Sequence, residues 1–113
     1  MKEAIIWHNP KCSKSRECLK FLEDLNSKGL IDKVIVRLYL KDCPSFEELK
    51  DLLRILQCDP LKLVRVKESE YQEGVDLIKL MVEFPKLIER PIVFYQKKAV
   101  IGRPLEEVKK LFN

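Results

Sequence analysis

No stretch of this chain stays apolar for long. After Met1-Lys2-Glu3 the run Ala4-Ile5-Ile6-Trp7 breaks at His8, far short of a signal-peptide core or of the roughly 20 residues that cross a bilayer. A membrane partner is therefore not expected, and the cytoplasm is the expected compartment. Metal-site and disulfide signatures are also missing. The four cysteines, Cys12, Cys18, Cys43 and Cys58, show no Cys-x-x-Cys spacing, and the single histidine offers no zinc-finger interval. Reduced thiols and no bound metal are the default. Charge of one sign is scarce too. Lys plus Arg is 22 against 18 Asp plus Glu, a net charge of +4, too small and too dispersed to argue for nucleic acid. Repeats and low-complexity linkers are absent. At 113 residues and 46% hydrophobic, residues 1–113 are expected to form a single domain around one core.

The residues that are present have clear periodicities. Ala4–Trp7, bounded by Asn9-Pro10, reads as a strand buried on both faces. Cys18, Leu19, Leu22 and Leu25 recur at helical steps from Ser13 to Lys28, and Gly29 supplies a stop. Val34-Ile35-Val36 with Leu38-Tyr39 reads as a second, parallel strand. Ser45-Phe46-Glu47-Glu48 is a capping box ahead of the stripe Phe46, Leu49, Leu52, Leu53, Leu56, which ends by Cys58-Asp59-Pro60. A short helix is expected within 61–71 and another from Val75 to Phe84. Ile92–Tyr95, a polar Gln96-Lys97-Lys98 turn and Ala99–Ile101 read as a hairpin, after which Pro104 opens a last helix. This order resembles the thioredoxin fold: an α/β protein with a central mixed four-stranded sheet, flanking helices and an inserted helical segment at about 45–88.

The segment "WHNPKCSKSR" sets a thiol just past the carboxyl end of the first strand, at the start of the first helix, where ligands collect in open α/β sheets. A helix N-terminus and nearby cations can lower a thiol pKa from ~8.5 to ~3.5–7.5, and His8, Lys11, Lys14 and Arg16 are close in sequence. Cys12 is thus a candidate nucleophile, although a helix-start residue of no consequence fits the same position. Ser15 either donates its hydroxyl to a thiolate or serves the helix locally. His8 either promotes the thiolate as imidazolium or caps the strand.

Two arginines precede prolines, in Glu89-Arg90-Pro91-Ile92 and Gly102-Arg103-Pro104. A residue before proline is held extended, and a guanidinium fork suits an oxyanion. Arg65, flanked by Val64 and Val66, reads equally as an anion ligand or as a snorkelling surface residue.

Taken together, "HNPKCSKSR", "LVRVKESEY", "ERPIVF" and "GRP" resemble the glutaredoxin-coupled arsenate reductase family, over almost the whole chain. The resemblance implies a thiol oxidoreductase that reduces arsenate to arsenite. Glutathione would be its co-substrate, a glutaredoxin-like protein its partner, and no cofactor would be bound. It assigns Cys12 as the nucleophile, His8 and Ser15 as supports of the thiolate, and Arg65, Arg90 and Arg103 as oxyanion ligands. It further implies a cis peptide at Arg90-Pro91. Ser15 stands where a Cys-x-x-Cys protein has its second cysteine, so the disulfide switch of the related Spx regulators is missing. A related oxidoreductase with another substrate, and a non-catalytic Spx-like protein that binds RNA polymerase, are the alternatives. Retention of Cys12 with all three arginines favours the enzyme. Cys58 either resolves an oxidised Cys12 or is an idle thiol.

Overall fold

A computed structural model describes residues 2–65 and 74–112. The chain divides into two compact units, residues 1–38 with 90–113, and residues 39–89.

The first unit holds β1 (Glu3–Trp7), α1 (Ser13–Ser27) and β2 (Lys33–Arg37), then β3 (Ile92–Tyr95), β4 (Lys98–Ile101) and α5 (Leu105–Lys109), with a short 3-10 turn over Lys110–Phe112. The strand order is β2-β1-β3-β4. β1 runs parallel to β2 and antiparallel to β3, and β3 is antiparallel to β4, so the sheet is mixed and thioredoxin-like. Strand alternation turns Ala4, Ile6, Val93 and Tyr95 to one face, and there they form one core with Cys18 and Leu22 of α1 and Val108 of α5. Phe112 extends it, 4.5 Å from Tyr95 and 6.0 Å from Phe21 between ring centroids.

α1 ends because Gly29 takes φ +75°. That left-handed step lets Gly29 N–H reach Asn26 O and Leu30 N–H reach Leu25 O, closing the last turn as a Schellman motif. The hairpin is tighter than its polar sequence suggests. Lys98 pairs with Tyr95, leaving a two-residue turn in which Gln96 and Lys97 have φ 49° and 67°, the twist that suits antiparallel strands. β2 stops at Arg37, without Leu38 and Tyr39. Arg90-Pro91 is cis, as the resemblance implies, and Arg103-Pro104 is cis as well.

The second unit carries α2 (Phe46–Leu56), α3 (Pro60–Leu63), α4 (Leu77–Glu83) and a 3-10 turn at Pro85–Leu87. The capping box forms: Glu48 N–H donates to Ser45 Oγ and Ser45 N–H donates to Glu48 Oε1, each at 3.1 Å. α2 ends at Leu56, capped by Gln57 with φ 52°, just before the expected Cys58-Asp59-Pro60 stop. α4 starts later than Val75 because the Asp76 carboxylate accepts from the N–H groups of Ile78 and Lys79 and so fixes the first turn. Leu49, Leu52, Leu63, Met81, Leu87 and Ile88 are buried. Val66 to Tyr71 of the "LVRVKESEY" motif lie outside the described residues.

Candidate active site

The corner between β1 and α1 is shaped by Asn9-Pro10. Cys12 N–H donates to Asn9 O at 3.0 Å, closing a four-residue turn with proline at its second position. The Asn9 side chain braces the same turn by accepting from Lys11 N–H at 3.0 Å. Cys12 then caps α1 with extended backbone angles, and the first turn contains no acidic residue. The open N–H groups and the positive end of the helix therefore act on the sulfur without a competing carboxylate.

The opposite wall comes from the far end of the chain. Arg103 Nε donates to Arg90 O at 2.7 Å, and Arg103 Nη2 donates to Cys12 Sγ at 3.2 Å. Burial of Cys12 works against its thiolate, but the Ser15 N–H, the Arg103 and Arg90 guanidinia and the Lys14 N–H outweigh it and bring the pKa down to about 7. The other thiols differ. Burial, with Glu17 adding to it, pushes Cys18 up to about 12. Burial also raises Cys58. Cys43 is exposed, its sulfur 3.7 Å from Leu40 O.

His8 and Ser15 meet each other rather than the sulfur. His8 Nδ1 lies 2.6 Å from Ser15 Oγ, which also accepts from Asn9 N–H at 3.0 Å. Both side chains are buried, Ser15 completely. Burial first, and then the Arg16 charge, lower the His8 pKa, so the ring is neutral at pH 7 and the imidazolium alternative gives way. Of the two expectations for Ser15, the hydroxyl meets His8 and Asn9, tying the residues after β1 to α1, and it is the Ser15 main-chain N–H that lowers the Cys12 pKa.

The structure thus brings Cys12, Arg90 and Arg103 together, with His8 and Ser15 directly behind the loop. Arg65 lies in the second unit, next to the antiparallel bridge between Val64 and Ile88. Its N–H donates to Leu87 O at 2.7 Å, and its guanidinium stands 3.9 Å from Glu89. Asn9 and Glu89 fall within the quoted motifs, but neither is singled out there as a site residue. Asn-Pro before a helix is a turn signal that points to the first, whereas no local signal marks Glu89 as the partner of Arg65.

Comparisons with known proteins show what the chain is similar to. A model of the ArsC family matches residues 7–111. The chain is 39% identical to an arsenate reductase of Neisseria meningitidis, over 96% of this chain and 97% of that one. It is 43% identical to the uncharacterized protein YfgD of Escherichia coli K12, over 95% and 94%. Among solved structures, the arsenate reductase from Vibrio cholerae superposes with a TM-score of 0.85 at 40% identity, covering 97% of this chain and 98% of that one.

Proposed function

Because the chain belongs to the ArsC family, we propose that it is a thiol-dependent oxidoreductase that reduces arsenate to arsenite, with Cys12 as the attacking thiol. The observation that carries this reading is the 3.2 Å hydrogen bond from Arg103 Nη2 to Cys12 Sγ, at a thiol whose pKa is about 7. About half of such a thiol is thiolate at neutral pH, against a few per cent for an ordinary cysteine.

A tetrahedral oxyanion approaching a thiolate needs its charge offset. Arg103 spends Nε on Arg90 O and one Nη2 hydrogen on the sulfur, while Nη1 makes no protein hydrogen bond among the described residues. The guanidinium can therefore hold the nucleophile and an oxyanion oxygen at once. Arg90 adds a second cation beside the sulfur. Arg65 is the third arginine that the resemblance implies for the oxyanion.

The electron count follows from sulfur. The Cys12 thiolate attacks arsenic, a sulfur–arsenic bond forms, and an oxygen leaves as water after protonation. A second thiol attacks the Cys12 sulfur. The sulfur–arsenic bond breaks with its electron pair left on arsenic, which becomes arsenite, and the two sulfurs form a mixed disulfide. A further thiol frees Cys12. We assign the second thiol to glutathione and the release to a glutaredoxin-like protein in the cytoplasm, with no bound cofactor. Neutral His8 and the Ser15 hydroxyl keep the loop in place; they are not proton carriers in this scheme.

The test is arsenate-dependent NADPH oxidation coupled through glutathione, glutaredoxin and glutathione reductase. Wild type should turn over and Cys12→Ser should not. A folded wild type whose Cys12 reacts with iodoacetamide, yet which gives no arsenate-dependent oxidation, would move the reading to a related oxidoreductase with another substrate.

A further inference from the structure

Gly102 has no room for a side chain. A Cβ there would lie 2.9 Å from Pro91 Cγ and 2.9 Å from Val108 Cγ2, separations that carbon atoms do not tolerate without movement. Neither neighbour yields easily. The Pro91 ring is closed on its own backbone, and Val108 is fully buried in the first unit's core, where a β-branched side chain in a helix has few alternative rotamers. The other glycines differ: Gly29 and Gly74 have φ +75° and +92° with open space around them.

The crowding lies at a decisive point in the chain. The β3–β4 ladder pairs Ile92 with Ile101, and Gly102 N–H donates to Pro91 O at 2.8 Å, which carries the pairing one residue further. The chain then turns sharply, Arg103 N–H donating to Ile101 O at 2.9 Å. This close approach leaves Arg103 next to Arg90 O and within reach of Cys12.

We propose that Gly102 is a positioning residue for the Cys12 site: by omitting a side chain it lets the end of β4 lie against Pro91, and that approach aims the Arg103 guanidinium at both Arg90 O and Cys12 Sγ. The proposal rests on the reading of Cys12 as the reactive thiol. An alanine at this position moves the strand end, since the ring and the buried valine do not give way. Arg103 is the next residue, and its hydrogen bonds of 2.7 Å and 3.2 Å weaken steeply with distance and angle.

The test is the rate of Cys12 alkylation by iodoacetamide against pH, followed peptide by peptide, in wild type, Gly102→Ala, Arg103→Lys and the double variant, with a melting curve for each. This readout needs no arsenate. In Gly102→Ala the midpoint should rise from about 7 towards that of Arg103→Lys; each half unit lowers the rate at pH 6 about threefold. The double variant should match Arg103→Lys alone, because the glycine acts through the arginine. A folded Gly102→Ala with an unchanged midpoint, or losses that add in the double variant, would overturn the proposal. Should Gly102→Ala not fold, Gly102→Ala with Val108→Ala removes one of the two close contacts, keeps the Pro91 contact, and is read in the same way. A wild-type Cys12 no more reactive than Cys43 would instead reject Cys12 as the nucleophile.

Discussion

Cys12 and Cys18 belong to one helix segment, and their surroundings make them opposite kinds of thiol. Cys18 faces the core and is held protonated far above neutrality, whereas Cys12 meets N–H groups and two guanidinia. After the Ser15 main-chain N–H, Arg103 is the largest contributor to this contrast and the largest from a side chain. A lysine there keeps the charge but cannot donate to Arg90 O and Cys12 Sγ while also holding an oxyanion oxygen. If these contacts act on charge developing in the transition state, Arg103→Lys should lose on the order of 2–4 kcal/mol, about a hundredfold or more in kcat/KM for arsenate. The melting temperature should fall by no more than about 10 °C, since lysine keeps the charge and losing part of two part-buried hydrogen bonds costs about 1–2 kcal/mol. Parallel arsenate kinetics and melting curves decide between the roles: near-normal kinetics would remove the clamp, and a large loss of stability would make the arginine a structural element.

At the scale of elements, the two kinds of stabilisation here separate cleanly. The Ser45 cap satisfies otherwise open N–H groups at an exposed helix start, so Ser45→Ala should cost about 1 kcal/mol. Leu22 is fully buried among Ala4, Ile6 and Val108, so Leu22→Ala should cost about 2–5 kcal/mol through the lost contacts and the cavity. Urea unfolding of both variants checks the order, and a Ser45→Ala loss equal to the Leu22→Ala loss would mean the cap supports more than its own helix. The elements best read in advance were those with local signals. Gly29 after a helical stripe, Ser45 with Glu48, and Asn9-Pro10 each carry their chemistry within a few residues. Lys98 was harder, because a lysine after two polar residues reads as turn; only its pairing with Tyr95 makes it a strand. The same holds for the lack of space at Gly102, which depends on Pro91 from an earlier strand edge and Val108 from the following helix. Sequence patterning set the inserted segment near 45–88, whereas the second compact unit runs from 39 to 89, since its limits are drawn by contacts rather than by helical periodicity.

For the molecule as a whole, the distance along the chain between the thiol and its cation matters. Cys12 and Arg103 are 91 residues apart, so the thiol is made well before its guanidinium. During synthesis at roughly 5–20 residues per second, Cys12 waits on the order of 5 to 20 seconds without Arg103. Through that interval its thiol lacks the Arg103 hydrogen bond, one of the contacts that lower its pKa, and a smaller thiolate fraction is expected. Ribosome-bound chains arrested before residue 103 should therefore alkylate Cys12 more slowly at pH 6.5 than released full-length protein, and equal rates would show that the helix start alone activates the sulfur. Reactivity in this chain is dated as well as placed: the contacts on the thiol are complete only once Arg103 has joined it.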